Sequence, residues 1–183
     1  MPIYISLLRG INVGGNKKIK MADLRDLYGT LNLNNVQSVL QSGNVVFDTA
    51  STDRDDIANT IEQAIESTYG FPSNILLRTL PEWEQIVTNP LFTEAQREDP
   101  RKLLILFLRD EVKTAQIDAL KDTIPGREII YHRGRELYIV YPDGMGRSKL
   151  DNKFIERRVN TTTTGRNWNT VNKLLTLAQS INA

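Results

Sequence analysis

The sequence predicts an α+β protein made of tandem ferredoxin-like halves, each ordered β-α-β-β-α-β, with an extra carboxy-terminal helix. Three observations lead there. Strand-like and helix-like patterns alternate in the same order twice along the chain. In each half a glycine, Gly43 or Gly134, separates two β-rich runs, as in a hairpin. Finally, 183 residues with 40% hydrophobic content are enough for one domain or for two small ones of roughly 80 to 90 residues. The halves are expected at residues 1–80 and 101–183, with a helix and linker at 81–100.

Residues 3–8 form a short apolar run closed by Gly10 and read as a buried strand, followed by a loop rich in Gly, Asn and Lys. Met21, Leu24, Leu27, Tyr28 and Leu31 recur at helical spacing. Strands are expected at 36–40 and 44–48. Ser51 or Thr52 is positioned to cap the next helix, whose stripe is Ile57, Ile61, Ala64 and Ile65 and whose stop is Gly70 and Pro72. A strand at 74–79 completes the first half. Pro81 suits the first turn of a short helix bearing Trp83, Ile86 and Val87, and the polar stretch from Asn89 to Lys102 reads as a linker.

The second half opens on Leu103–Leu108, the strongest strand signal in the chain and an interior strand by its uniform apolarity. Val112, Gln116, Ile117, Leu120 and Ile124 trace a helix. A hairpin at 128–132 and 136–141 turns on Arg133-Gly134. Ser148-Lys149-Leu150-Asp151 offers a capping-box-like start for a helix through Val159, residues 161–164 make a last short strand, and Trp168 to Ile181 carry an amphipathic helix to the end.

Composition narrows the functional classes. The absence of cysteine removes disulfides, thiolate metal sites and cysteine nucleophiles. The amino terminus lacks the basic start and long apolar stretch of a signal peptide, and no apolar run approaches the ~20 residues of a membrane span, so a cytoplasmic protein without membrane association is expected. A net charge of +1 does not mark a protein that coats nucleic acid, but the charge is uneven. Residues 9–26 hold Arg9, Lys17, Lys18, Lys20 and Arg25 against Asp23 and Asp26. Residues 147–173 hold Arg147, Lys149, Lys153, Arg157, Arg158, Arg166 and Lys173 against Asp151 and Glu156. The rest of the chain is acidic.

Three stretches carry a resemblance that runs the length of the chain: Leu8-Arg9-Gly10-Ile11-Asn12-Val13-Gly14-Gly15 with residues 17–21, then Gln41-Ser42-Gly43-Asn44-Val45-Val46-Phe47, then Ser148-Lys149-Leu150 with Arg166-Asn167-Trp168-Asn169-Thr170-Val171. In combination they resemble the bacterial family known as domain of unknown function (DUF) 1697. The resemblance implies a bacterial, cytoplasmic protein without a cofactor, and says nothing of a reaction. Asn160 stands where the family leads one to expect glycine after a helix, and asparagine also tolerates the left-handed conformation such an end needs.

The residues themselves point to anion binding. A Gly-rich turn between strand and helix exposes backbone amides, and flanking lysines can hold a phosphate or carboxylate there. The candidate ligand-binding residues are Arg9, Asn12, Gly14, Gly15, Lys17, Lys18, Ser42 and Asn44 from the first half, and Ser148, Lys149, Arg166 and Asn167 from the second. Arg166 and Asn167 are read as the exposed start of the last helix, and the two basic segments form one anion site if the fold joins them. The structural alternative is that the glycines only turn the chain, the lysines are solvated, and the Ser and Asn side chains satisfy turn backbones. No Walker or dinucleotide signature is present, Ser148-Lys149 lacks the spacing of a serine–lysine hydrolase, and the lone His132 has no acid at motif spacing, so no catalytic or metal-binding residue is assigned.

The leading reading is therefore a non-catalytic module for a phosphate-containing small molecule, such as a nucleotide, or a nucleic-acid backbone. The alternative is an enzyme acting on a phosphorylated or acidic small molecule with the same loop as clamp. A third reading, an RNA-binding sheet, shares the element order, but the third strand supplies only Phe47 as a stacking aromatic.

Overall fold

In the computed structural model, which describes residues 1–181, the chain divides into two units. The first comprises Met1–Thr88 with the carboxy-terminal stretch from Asn172; the second is Asn89–Val171.

The first unit contains β1 (Ile3–Leu8), α1 (Met21–Thr30), β2 (Asn34–Val39), β3 (Asn44–Asp48), α2 (Arg54–Tyr69), β4 (Ile75–Thr79) and α3 (Leu80–Thr88). Its strands pair antiparallel in the order β2-β3-β1-β4, which is the ferredoxin-like arrangement. All six residues of β1 are buried because it is an interior strand. One face of the sheet, marked by alternate residues Tyr4, Leu8, Val45, Phe47, Ile75 and Leu77, packs with Leu24 and Tyr28 of α1 and Ile57, Ile61 and Ile65 of α2. Each such fully buried side chain contributes on the order of 1.5–3 kcal/mol. Tyr28 caps this core by bonding its hydroxyl to Ser6 Oγ at 2.8 Å. Helix α2 is capped by Asp53, whose Oδ1 accepts from the amides of Asp55 and Asp56 at 3.1 and 3.0 Å, and not by Ser51 or Thr52. A carboxylate next to the first turn makes charge-assisted bonds that a hydroxyl cannot match.

The second unit contains α4 (Glu94–Arg97), β5 (Leu103–Leu108), α5 (Thr114–Lys121), β6 (Ile129–Arg133), β7 (Glu136–Val140), α6 (Asn152–Val159) and β8 (Thr163–Asn167), and the last helix α7 (Trp168–Ser180) begins in it. The sheet order is β6-β7-β5-β8, so β5 is interior, as expected, and the topology repeats that of the first unit. The stretch before β5 is not wholly irregular. A reciprocal Thr93–Gln96 capping box starts α4, and Phe92 is buried edge-on against Tyr138 and Trp168 at 5.3 and 5.4 Å.

Two differences from the sequence reading bear on the candidate residues. Helix α6 is capped by Asp151, whose Oδ1 accepts from Phe154 N at 2.7 Å, which leaves Ser148 outside it. The last strand is Thr163–Asn167 and not 161–164. Gly165, Arg166 and Asn167 have little strand propensity, yet they pair with Leu106, Ile105 and Leu104, and ladder pairing overrides propensity. Asn160 ends α6 at φ 54°, ψ 42°, the left-handed conformation its position calls for.

Several hydrogen bonds recur at equivalent places in the two units. Leu8 N donates to Gly43 O and Leu108 N to Arg135 O; Arg9 N donates to Asn74 O and Arg109 N to Thr162 O; Thr49 N donates to Pro2 O and Tyr141 N to Lys102 O. Glu62 on α2 accepts from the first amide of β4, and Glu156 on α6 from the first amide of β8, at 2.8 and 2.7 Å. What differs is the length of helices and loops: α2 has 16 residues and α6 has 8. Residues 9–20 connect β1 to α1, whereas 109–113 suffice between β5 and α5; residues 49–53 connect β3 to α2, whereas 141–151 lie between β7 and α6. Each unit thus lengthens one loop of a common frame. Among the described residues no helix is long and apolar enough to cross a membrane.

Candidate functional site

The long β1–α1 loop is a miniature hairpin. Asn16 N donates to Val13 O at 3.2 Å across Gly14 and Gly15, and Asn12 N donates to Lys17 O at 3.1 Å. Gly14 and Gly15 have φ of 60° and 79°, the pair of positive values that a primed two-residue turn requires. Asn12 secures the loop from inside at φ 54°. Its Nδ2 donates to Ile19 O at 2.9 Å and to Gln41 O at 2.7 Å, and its Oδ1 accepts from Ile19 N at 2.9 Å. Lys17, also left-handed at φ 48°, donates from Nζ to Pro72 O at 2.7 Å and lies 5.8 Å from the Phe71 ring centroid.

The β2–β3 hairpin joins this loop. Leu40 takes φ 61° and Gly43 φ 75°. A Cβ on Gly43 would stand 2.6 Å from Leu8 Cβ and 2.9 Å from Ile11 Cδ1, so only glycine fits against the loop. Asn44 donates to Val39 O at 3.0 Å and to Ser42 Oγ at 2.9 Å, holding the turn closed. The stretches 8–15 and 41–47 are therefore one physical cluster. With the adjoining Lys17 and Leu40 it holds three non-glycine residues in the left-handed region (Asn12, Lys17 and Leu40), and Val13 is 65% and Leu40 48% exposed. Strain held in this way, about 1–2 kcal/mol for a leucine, concentrates at functional sites.

Beside the cluster opens a cleft of about 560 Å³. Asn12, Gly15 and Gln41 supply one part of its wall, and buried Ile19 another. Exposed Lys18 and Lys20 bring cations, Asp23 on α1 an acid, and half-buried Tyr69, the last residue of α2, an aromatic ring. Tyr69 stacks on Phe71 with centroids 6.2 Å apart and planes at 27°. Partial burial, with Asp23 and Asp26 nearby, raises its phenol pKa and keeps it neutral. Of the sequence candidates, Asn12, Gly15 and Lys18 line the cleft. Gly14 and Lys17 shape its loop, Arg9 bonds through its backbone at the end of β1, and Ser42 and Asn44 build the neighbouring turn.

The sequence profile of the family described as "Protein of unknown function (DUF1697)" matches residues 1–138, which include this cluster and cleft. The chain belongs to the DUF1697 family. No curated protein matches it as a relative. Among solved structures, the conserved bacterial protein SP0830 from Streptococcus pneumoniae is similar, with a TM-score of 0.76 and 24% identity over 97% of this chain and 98% of that one. A likeness at that identity establishes the shared fold.

The remaining candidates of this DUF1697 chain lie in the second unit. Ser148 and Lys149 line a smaller pocket of about 190 Å³ between the turn bearing Arg127 and Glu128 and the long β7–α6 loop. Ser148 Oγ donates to Glu128 Oε1 and accepts from Leu150 N, and an Arg127–Asp143 ion pair stands at the rim. Arg166 and Asn167 end β8 and do not line this pocket. Arg166 is buried rather than exposed at a helix start: its Nη1 donates to Thr164 Oγ1 and Gly165 O at 2.8 Å each. Asn167 Oδ1 accepts from Thr170 N at 2.9 Å and so caps α7. His132 Nε2 bonds Gly134 O at 2.7 Å within its hairpin. Lys20, Asp23, Gln41 and Tyr69 were not among the sequence candidates. Lys20 and Gln41 fell inside segments already singled out, whereas Tyr69 looks like the unremarkable end of a helix, and only the fold brings it to the loop.

Proposed function

We propose that the cleft of the first unit binds a phosphate-containing anion and holds it without chemistry. The observation that carries this reading is a ligand-sized cleft with two exposed lysines, walled by a loop that exceeds its counterpart in the second unit, residues 9–20 against 109–113. Long loops on a rigid frame are where binding concentrates. Its volume lies within the ~300–1,000 Å³ of small-molecule sites, and the second-unit pocket falls below that range.

Binding fits the wall better than catalysis does. The lining offers no serine, threonine or histidine as nucleophile or base, its single carboxylate is Asp23, and the raised pKa of the Tyr69 phenol keeps it protonated and unfit as a base. A sheet-stacked RNA is disfavoured as well, since Phe47 is fully buried, stacked on Tyr4 at 5.8 Å and edge-on to Tyr28 at 5.7 Å.

Titration calorimetry of the full chain with inorganic phosphate and pyrophosphate tests the reading. The expected result is saturable binding that the double variant Lys18→Ala, Lys20→Ala weakens about tenfold or more, with a flatter salt dependence. Folding stability should change by no more than ~0–1 kcal/mol, because both lysines are exposed. If neither anion binds the unaltered protein, or the double variant binds equally well, the proposal fails.

A further inference from the structure

Resting on that reading, we infer that the ligand is a free mononucleotide: a planar ring against Tyr69, the phosphate at Lys18 and Lys20, and a sugar hydroxyl or ring amino group on Asp23. A bare anion would use only part of the cleft. An inorganic phosphate is best held by donors on all sides, whereas here the wall also carries buried Ile19 and the Tyr69 ring, and the cations are two side chains of one loop. Such a wall matches a ligand with an apolar body and one charged end.

Tyr69 is held in place before any ligand arrives. It stacks on Phe71, Phe71 lies beside Lys17 Nζ at 5.8 Å, and Lys17 is tied to Pro72 O at 2.7 Å. A ring fixed in such a ladder offers stacking area at little entropic cost, and any base can use it because every base has a π-face. The phenol stays protonated and keeps its donor.

Asp23 is the telling residue. A carboxylate in the wall of a phosphate site repels the anion, but it accepts hydrogen bonds from a ribose or an exocyclic amine. Asp23 also sits in the first turn of α1, where an acid favours the helix dipole. The two roles separate by experiment. If Asp23 holds a ligand donor, Asp23→Asn weakens nucleotide binding while strengthening that of inorganic phosphate; a role in the helix alone moves both affinities the same way.

The test compares inorganic phosphate, adenosine 5′-monophosphate and a short single-stranded oligonucleotide on the full chain by calorimetry. The nucleotide should bind about tenfold or more tightly than phosphate, the scale of one stacked base. Tyr69→Leu, which keeps an apolar contact for Phe71, should erase that advantage and leave phosphate binding intact, and Tyr69→Phe should retain it. If the nucleotide binds no more tightly than phosphate, this inference falls while the anion site stands. If neither binds, both fall. Tighter binding of the oligonucleotide than of the mononucleotide would overturn the free-nucleotide assignment.

Discussion

Arg78 and Arg166 hold the same place in the two sheets. Arg78 stands opposite Ile5 across β1 and β4, Arg166 opposite Ile105 across β5 and β8, and each donates from Nη1 to the carbonyl oxygen of the preceding residue, Leu77 or Gly165, at 2.8 Å. They are 1% and 7% exposed. Taking a guanidinium out of water costs several kcal/mol before its partners compensate, so its recurrence at one register makes it part of the common frame. Burial pushes the pKa of Arg166 down to about 10, which still leaves it charged at neutral pH.

Arg166→Ala should therefore behave as a core substitution. It removes a long buried side chain and strands Thr164 Oγ1 and the Gly165 carbonyl, effects that together cost about 2–4 kcal/mol. Lys18→Ala should change stability by no more than ~0–1 kcal/mol. Urea unfolding of the two variants beside the parent checks the contrast, and equal midpoints for all three would contradict it.

Glycine is required to different degrees at two turns of the first unit. Gly43 combines a positive φ with a Cβ position 2.6 Å from Leu8 Cβ, in a backbone-fixed strand that cannot step aside. Gly43→Ala should cost about 2–4 kcal/mol from strain and overpacking together. Gly14 is also left-handed, but nothing lies within 4 Å of its Cβ position, so Gly14→Ala should cost only about 1–2 kcal/mol. Thermal melts rank the pair, and a Gly14 variant as unstable as the Gly43 variant would show that the loop is packed more tightly than its geometry indicates.

The doubled element order was legible because strand and helix periodicities survive in a single sequence, and Leu103–Leu108 announced an interior strand by apolarity alone. The equivalence of individual residues was hidden. Ile5 and Ile105 are further apart in number than Arg78 and Arg166, because the two unequal loops nearly cancel while α2 has 16 residues against the 8 of α6, so no single offset aligns the halves. Arg166 was misplaced because arginine in a Gly-Arg-Asn run reads as surface, while the ladder with β5 that buries it is a long-range pairing. The cleft was half legible: Asn12, Gly15 and Lys18 share a motif, but Tyr69 reaches the wall only through the packing of α2.

The start of α3 should make the first unit sensitive to acid. Glu82 Oε2 accepts from Thr79 N at 2.7 Å and Thr79 Oγ1 at 3.0 Å, and Arg54 Nη2 donates to both carboxylate oxygens at 2.9 Å. Burial is the largest single influence on Glu82 and raises its pKa, but the hydrogen bonds from Thr79 and Arg54 and the Arg54 charge together outweigh it, so the carboxyl titrates below its ordinary 4.5. A folded pKa below the unfolded one means that the stabilisation is complete above the unfolded value and is lost as pH falls through the folded value. Glu82→Gln should therefore be less stable than the parent near neutral pH, and the gap should narrow below about pH 4.5 as the parent protonates. The equivalent cap in the second unit, Asn167 Oδ1 accepting from Thr170 N, is uncharged and gives no such dependence. Urea midpoints of parent and Glu82→Gln between about pH 7 and about pH 3 decide the matter: curves that stay parallel throughout would mean that this carboxylate does not link folding to protons.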